Sequence, residues 1–281
     1  MFKTLIDVDS LRALLGGRRQ LRIVDCRFDL GSPEAGRRAY LDAHIPKARY
    51  ADLNRDLSAP VAPGTGRHPL PQAEVFAERV RELGIGNHTQ VVAYDDANSS
   101  FAARLWWMLR WLGHDAVAVL DGGFKAWTAA GGAREAGEVT VASEPFTARV
   151  RAESVVSTGE VERALRDGTA LLVDARAAER FAGTVEPIDP VAGHVPGAVN
   201  HPFSVNLAAD GRFLPEAELE QRWRERLAGA APDKLIAMCG SGVTACHHLL
   251  SLEAAGLSGG RLYAGSWSEW ISDPRRPVAR A

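Results

Sequence analysis

Short apolar runs alternate along the chain with stretches of helical periodicity. The apolar runs lie at residues 21–27, 91–95, 116–123 and 235–238 and have the length and content of strands covered on both faces. Helical spacing marks residues 72–83, the stretch after Ser99 and Ser100, residues 124–132 and the stretch after Val243. This alternation predicts an α/β fold, a doubly wound parallel sheet with helices on both faces.

Local signals refine the first half of the chain. The N-terminus indicates a short strand or arm followed by a helix, and residues 28–71 read as a long irregular segment. Ser99 or Ser100 is a candidate N-cap of the next helix. One apolar face is expected on that helix, formed by Leu105, Trp106, Leu109 and Leu112. Its tryptophans Trp106, Trp107 and Trp111 lack interleaved basic residues, which favours core and interface positions over a nucleic-acid platform.

The second half of the chain repeats the first. VDCR at residues 24–27 returns as VDAR at 173–176, HIPKA at 44–48 returns as HVPGA at 194–198, and DGGFKAW returns as AGSWSEW. Three matches in register predict two copies of one fold. We therefore predict a first domain at residues 1–132, a polar linker at 133–145 and a second domain at 146–281.

Composition narrows the class of protein. The 281 residues are 46% hydrophobic and 24% charged, with a formal charge of −2, which gives no long-range attraction to nucleic acid or to an acidic membrane. Three widely spaced cysteines form no disulfide framework and suit a reducing compartment. The N-terminus lacks a continuous apolar signal region, and no run is long enough to span a membrane. We expect a cytoplasmic protein that binds neither nucleic acid nor membrane.

The candidate chemistry lies at Cys239, which follows a predicted strand and precedes the loop GSGVT and a helix. Open α/β sheets bind ligands at this edge. Gly240 and Gly242 are expected to adopt positive φ and to turn backbone N–H groups toward the sulfur, which together with the helix N-terminus favours a nucleophilic thiolate. The alternative is a small buried hydrophobe. Tyrosine phosphatase chemistry is excluded because the sixth residue after the cysteine is Ala245 and not an arginine.

The segment CGSGVTA, residues 239–245, resembles the active-site loop of the 3-mercaptopyruvate sulfurtransferases in the two-domain rhodanese superfamily. The resemblance extends over essentially the whole chain and implies a silent N-terminal domain, in which Asp95 stands at the position of Cys239. It implies that sulfane sulfur passes from 3-mercaptopyruvate to a persulfide on Cys239 and then to a thiol or cyanide acceptor, with thioredoxin a candidate, and that no cofactor takes part. A thiosulfate sulfurtransferase and a non-catalytic sulfur-relay module remain alternatives.

The same resemblance implies roles for individual residues. Arg180 is expected to bind the acidic donor beside the loop, whereas the second substrate arginine of the family is replaced by Ile188. Ser241 is expected to act with His68, identified by its setting RHPLP. The family also uses an acid, and at its position the alignment offers Asn54 or Asp56. The substrate is expected to contact the loop residues Gly240, Gly242, Val243 and Thr244.

The remaining charged and histidine residues are assigned structural roles. Arg176 is expected to form an ion pair, and His44 and His194 to brace one loop in each copy. His247 and His248 diverge on their helix by about 100° and do not converge on a metal ion. Because the loop GSGVT contains no lysine or arginine, we predict a preference for the monoanion mercaptopyruvate over the dianion thiosulfate.

Overall fold

The computed structural model describes residues 1–17 and 20–281 and divides into two compact units. The first unit comprises residues 1–59, 71–151 and 209–212, and the second comprises residues 60–70, 152–208 and 213–281. The predicted linker, residues 133–145, falls within the first unit. Residues 60–70, which carry His68, belong to the second unit despite their position in the first half of the sequence.

The first unit contains a five-stranded sheet. Its elements in chain order are β1 (Leu5–Ile6), α1 (Val8–Leu15), β2 (Leu21–Asp25), α2 (Glu34–Asp42), β3 (Arg49–Tyr50), α3 (Ala73–Glu82), β4 (Gln90–Tyr94), α4 (Ala102–Trp111), β5 (Val117–Leu120) and α5 (Gly123–Ala129). The strand order is β1-β5-β4-β2-β3, and every pairing is parallel. All residues of the central strand β4 are buried, as expected of a strand covered on both faces.

The second unit contains a four-stranded sheet. Its elements are α6 (Thr158–Arg166), β6 (Leu171–Asp174), α7 (Ala178–Ala182), β7 (Val199–Asn200), α8 (Glu216–Leu227), β8 (Leu235–Met238), α9 (Thr244–Ala254), β9 (Arg261–Leu262) and α10 (Ser266–Trp270), with 3-10 turns at Ala152–Ser154, Phe203–Asn206 and Pro232–Lys234. The order is β7-β6-β8-β9, again fully parallel. The predicted fold class is confirmed.

The expectation of an irregular segment over residues 28–71 is wrong in part, because it contains α2 and β3. The sequence of α2 has little hydrophobic character, and its fixed position comes from tertiary packing. A Cβ on Gly36 would lie 1.9 Å from the carbonyl oxygen of Arg27, so only glycine permits this close approach. The buried Tyr40 donates from its hydroxyl to the carbonyl of Ala48 at 3.0 Å.

The start of α4 also differs from the prediction. Neither Ser99 nor Ser100 caps the helix; the residue before it is Phe101. The carboxylate of Asp95 accepts hydrogen bonds from the backbone N–H groups of Ala97, Ser99, Phe101 and Ala102, at 2.8 to 2.9 Å. The helix is buried nearly all round and not on one face, since among its ten residues only Arg110 is not fully buried.

The repeated motifs form the same contacts in each unit. Arg27 pairs with Asp25 at 2.6 Å, and Arg176 pairs with Asp174 at 2.7 Å, both nearly inaccessible to solvent. The ring nitrogen Nδ1 of His44 lies 2.8 Å from the carbonyl of Tyr40, and that of His194 lies 2.8 Å from the carbonyl of Phe181. Each histidine also joins a backbone bridge, to Glu135 and Ala279 respectively. Each histidine therefore fastens a loop, as its repetition in the sequence predicts.

Among residues 1–17 and 20–281, no helix combines the length and the apolar content needed to cross a bilayer.

Candidate active site

Cys239 lies directly after β8, an internal strand of the second sheet. The side chain is buried, with 2% of the residue exposed. Its sulfur accepts a hydrogen bond from the backbone N–H of Gly242 at 3.2 Å. Its own N–H donates to the hydroxyl of Ser266 at 3.1 Å. The sulfur therefore lies at the start of the loop and accepts a hydrogen bond from the loop's own backbone, at Gly242.

The two loop glycines serve different purposes. Gly242 has a φ of 77°, and a Cβ there would lie 2.3 Å from the carbonyl oxygen of Ala264, so both its conformation and its packing require glycine. Gly240 does not adopt positive φ, which corrects the expectation for this residue. Its lack of a side chain instead leaves room for guanidinium groups, because a Cβ there would lie 2.9 Å from Arg67 Nη2.

The helix α9 begins within the same loop. Val243 precedes its first residue, Thr244, and no side chain caps this end. The first backbone N–H groups of a helix lack intrahelical acceptors and carry a partial positive charge. Val243 is buried and Thr244 is partly exposed beside the sulfur-bearing loop. That Val243 and Thr244 offer backbone donors to an anion at Cys239 stays a prediction.

Ser241 is paired with a histidine from the segment of residues 60–70. The distance between Ser241 Oγ and His68 Nδ1 is 2.7 Å, and both side chains are buried. The two residues predicted at the position of the family's acid, Asn54 and Asp56, belong to the first unit. There Asn54 is exposed, and Asp56 forms an ion pair with Arg79 at 2.9 Å.

Arg180 projects from α7 toward the loop. A Cβ on Gly240 would lie 3.6 and 3.7 Å from its two terminal nitrogens. The guanidinium is held by Glu186 at 2.7 Å and by Asp189 at 3.1 Å. Burial works to raise the pKa of Glu186, but hydrogen bonds from Arg180 and from the backbone N–H groups of Asp189 and Ile188 lower it overall. Ile188 thus contributes its backbone to this network and no charge.

A second guanidinium, that of Arg67, reaches the same place. It forms an ion pair with Asp189, whose side chain is 2% exposed. Burial raises the pKa of Asp189 despite the opposing effect of Arg67 and Arg180. Two cations therefore lie beside a loop whose own sequence contains none.

Arg176 lies deeper and has a different environment. Its guanidinium binds Asp174, donates to the carbonyl of Gly193 at 2.9 Å and lies 4.9 Å from the centre of the Trp267 ring. Its side chain is 1% exposed. Arg176 consequently ties the strand end to the next loop, which leaves Arg180 and Arg67 as the arginines facing the site.

The adjacent histidines on α9 point into an aromatic cluster. The ring of His247 stacks on Phe213 at 4.6 Å, while that of His248 lies 5.2 Å from Trp223 and 5.3 Å from His201. Burial lowers the pKa of His201 to about 4 and that of His248 well below its usual value. His201 and His248 are therefore buried neutral rings, and His247 packs among the aromatic side chains beside them.

Sequence reasoning missed two residues of this site. Arg67 precedes His68 in the same motif, but only the folded path of residues 60–70 brings it to Gly240. Ser266 has a left-handed φ of 54° and supplies the hydroxyl that accepts the Cys239 N–H. A signal for Ser266 did exist in the repeat, because it stands where the first copy has Gly123, whose φ is 59°.

The comparison with protein families agrees with this arrangement. The rhodanese-like domain matches the chain twice, over residues 7–130 and 157–273. The chain therefore belongs to the rhodanese family and carries two such domains. Within that family it is a sulfurtransferase.

Individual relatives extend over nearly the whole chain. A Pseudomonas aeruginosa protein named "Probable 3-mercaptopyruvate sulfurtransferase" is 52% identical, over 98% of this chain and 97% of its own. A Mycobacterium tuberculosis protein that carries the name of a thiosulfate sulfurtransferase is 39% identical, over 99% of this chain and 97% of its own. The structure of the 3-mercaptopyruvate sulfurtransferase of Leishmania major superimposes with a TM-score of 0.84 at 35% identity, over 98% of this chain and 75% of that one.

Proposed function

We propose that the protein transfers sulfane sulfur from 3-mercaptopyruvate to a thiophilic acceptor through a persulfide on Cys239. The observation that carries the proposal is the hydrogen bond between Ser241 and His68, at 2.7 Å, two residues from the nucleophile. A hydroxyl and an imidazole in contact can move a proton, which a carbon leaving group requires and thiosulfate does not. The 52% identical relative named for mercaptopyruvate supports the same donor.

The first half-reaction forms one sulfur–sulfur bond and breaks one carbon–sulfur bond. The Cys239 thiolate attacks the sulfur of the donor, and the bonding electrons leave with the carbon as the enolate of pyruvate. The enolate takes up a proton at carbon, and the persulfide loses the proton that the donor thiol brought. Ser241 and His68 lie where they can relay that proton, so the step is balanced without another reactant.

The donor is held by its negative charge. The carboxylate of mercaptopyruvate pairs with Arg180, while the loop formed by Gly240, Gly242, Val243 and Thr244 presents backbone N–H groups to the sulfur. In the second half-reaction an acceptor nucleophile attacks the outer sulfur, and Cys239 departs as the thiolate. A thiol such as that of thioredoxin, or cyanide, meets this requirement.

The first domain is catalytically silent in this proposal. Asp95 occupies the position of Cys239, and a carboxylate cannot carry a transferable sulfur. We place the domain boundaries near residues 132 and 146. We place the protein in the cytoplasm because its three cysteines form no disulfide and suit a reducing compartment.

Two measurements test the proposal: the rates of turnover of mercaptopyruvate and thiosulfate, and the mass of the protein after incubation with each donor. Incubation with mercaptopyruvate should add one sulfur to the protein, and cyanide or a thiol should remove it. Faster turnover of thiosulfate would favour the alternative that the Mycobacterium tuberculosis relative suggests. Exchange of persulfide with a partner protein, without turnover of either donor, would identify a relay module.

A further inference from the structure

Two guanidinium groups from distant parts of the sequence converge on Gly240. A Cβ built on Gly240 would lie 2.9 Å from Arg67 Nη2, and 3.6 and 3.7 Å from Arg180 Nη2 and Nη1. Gly240 directly follows the nucleophile, so both groups lie beside the position where a sulfur donor must arrive. The first comes from the segment of residues 60–70 and the second from α7.

One buried carboxylate holds both guanidinium groups. Asp189 Oδ1 pairs with Arg67 Nη1, and Asp189 Oδ2 pairs with Arg180 Nη2 at 3.1 Å. Each oxygen thus fixes one arginine, and the two side chains keep 30% and 17% of their surface exposed. The ion pairs with Asp189 fix the positions of Arg67 and Arg180. The exposed parts of both side chains remain accessible to a ligand.

One terminal nitrogen of each guanidinium remains available beside the loop. Among the hydrogen bonds of residues 1–17 and 20–281, none involves Arg67 Nη2 or Arg180 Nη1. Each of these nitrogens carries two N–H donors. Two donor groups aimed at one small volume match the oxygens of a carboxylate or of a sulfonyl group.

The segment that carries Arg67 is itself fastened beside the loop. The backbone N–H of Arg67 donates to Ser268 Oγ at 3.0 Å. Gly66 packs so tightly that a Cβ there would lie 2.6 Å from the carbonyl oxygen of Gly265. The next residue, His68, contacts Ser241. The same short segment therefore places a cation near Gly240 and an imidazole against Ser241.

We propose that Arg67 is a donor-specificity residue, which with Arg180 forms a two-guanidinium site for the anionic end of the sulfur donor. It takes the place of the second substrate arginine, whose position in the sequence is occupied by Ile188. The inference rests on the proposed function for the identity of the donor. The sequence of the loop predicted a site without an additional cation, and Arg67 supplies one. A thiosulfate dianion should gain more binding energy from Arg67 than a mercaptopyruvate monoanion does.

Arg67→Gln, Arg67→Lys and a control, Arg224→Gln, test the proposal. Arg224 is exposed on α8 and pairs only with Glu220 among the described ion pairs. Kinetics are measured with mercaptopyruvate, with thiosulfate and with an uncharged donor, bis(2-hydroxyethyl) trisulfide. Anion binding is measured without turnover, as the protection that pyruvate or sulfite gives Cys239 against alkylation by iodoacetamide.

We expect Arg67→Gln to raise the KM for mercaptopyruvate about tenfold and to lower kcat/KM for thiosulfate about 10- to 100-fold, since charge-assisted hydrogen bonds are among the stronger ones. The rate at which the Cys239 thiolate attacks the trisulfide, with release of 2-mercaptoethanol as thiolate, should stay within about twofold of the unmodified protein, as should every property of Arg224→Gln. Arg67→Lys should recover part of the anion protection, because it keeps the charge and loses the planar fork. If Arg67→Gln does not fold, the lysine variant should still show a loss confined to the anionic donors.

Two results would overturn the role of Arg67. Unchanged anion protection and KM in Arg67→Gln would remove it from the site, and an equal loss with all three donors would make it a purely structural residue. Failure of the unmodified protein to turn over mercaptopyruvate would instead overturn the proposed function. Arg67 would then be judged by thiosulfate kinetics and by protection with sulfite.

Discussion

The hydroxyl of Ser266 accepts the backbone N–H of Cys239 at 3.1 Å while Ser266 itself holds a left-handed φ of 54°. Such a conformation is unfavourable for a residue with a side chain, and glycine adopts it without cost. The equivalent residue of the first domain is Gly123, where a Cβ would lie 2.1 Å from the carbonyl oxygen of Asp95. The second domain thus retains a strained serine where the first has the unstrained residue.

Ser266→Ala and Ser266→Gly should separate the hydrogen bond from the strain. Both lose the acceptor for Cys239, which leaves a buried N–H without its partner, but only the glycine variant relieves the backbone. We expect Ser266→Ala to be less stable than Ser266→Gly by about 1 kcal/mol. Urea unfolding of both variants gives this difference, and equal stabilities would show that φ at residue 266 is unstrained.

Cys239→Ser should abolish transfer and leave the fold intact, because a hydroxyl is not nucleophilic enough to replace a thiolate. Mass spectrometry after incubation with mercaptopyruvate should show no added sulfur. The matched controls are Cys26→Ser and Cys246→Ser, since both residues are buried and neither forms a disulfide. Complete loss of activity in a folded control would indicate a resolving cysteine.

Arg180→Ala should raise the apparent KM for mercaptopyruvate about tenfold or more, because a charge-assisted pair contributes roughly 1.5 to 3 kcal/mol. Arg176→Ala is the informative comparison. It removes a buried ion pair and should lower the melting temperature instead of acting selectively on KM. An unchanged KM in Arg180→Ala would place the donor elsewhere.

Ser241→Ala and His68→Asn should lower kcat more than they raise KM, since a proton relay acts on the reacting centre and not on the carboxylate of the donor. We expect each loss to be about 10²-fold or greater, with the double variant little worse than either single one. Steady-state kinetics with mercaptopyruvate measure both effects. Additive losses would show that the two residues act separately.

The second domain should lose stability in mild acid. Burial depresses the pKa of His201 to about 4 in the folded protein, against about 6.5 in the unfolded chain, so the unfolded state binds more protons between these values. This contribution to stability is fully present above pH 6.5 and is lost as the pH falls, and the loss amounts to roughly 3 kcal/mol near pH 4.

Urea unfolding followed by tryptophan fluorescence at pH 7.5, 6.0 and 5.0 checks this dependence, since Trp223 lies 4.5 Å from His201. His201→Gln should reduce the slope of stability against pH, although it should not remove it, because His248 is depressed in the same direction. A stability that is flat across the range would contradict the assignment.

Regular patterns made much of the fold predictable. β8 and α9 follow directly from a buried apolar run and a helical one, and the repeat reveals two copies before any contact is known. In contrast, α2 was missed because its stability comes from the close packing of Gly36 and from Tyr40, which no local pattern encodes.

The site residues were predictable from the sequence where they lie together in one short segment. Cys239 and its loop are contiguous, whereas Arg67 reaches Gly240 only through the path of residues 60–70. That approach also limits how the predicted donor preference can be tested. A Gly240→Arg substitution would add a cation to the loop but would displace the Arg67 guanidinium, which would lie 2.9 Å from the new Cβ, so it changes two groups at once.

The carboxylate of Asp95 accepts hydrogen bonds from four backbone N–H groups, so the loop of the first domain already holds a negative charge. Counting from Cβ, its oxygens stand as far along the side chain as the outer sulfur of a cysteine persulfide. Under our proposal, the first domain therefore carries a permanent negative charge at the position where the second domain carries the persulfide anion for part of each catalytic cycle. Substituting Cys239 by aspartate would create a fixed likeness of the loaded enzyme, suitable for capturing the acceptor while preventing release of sulfur.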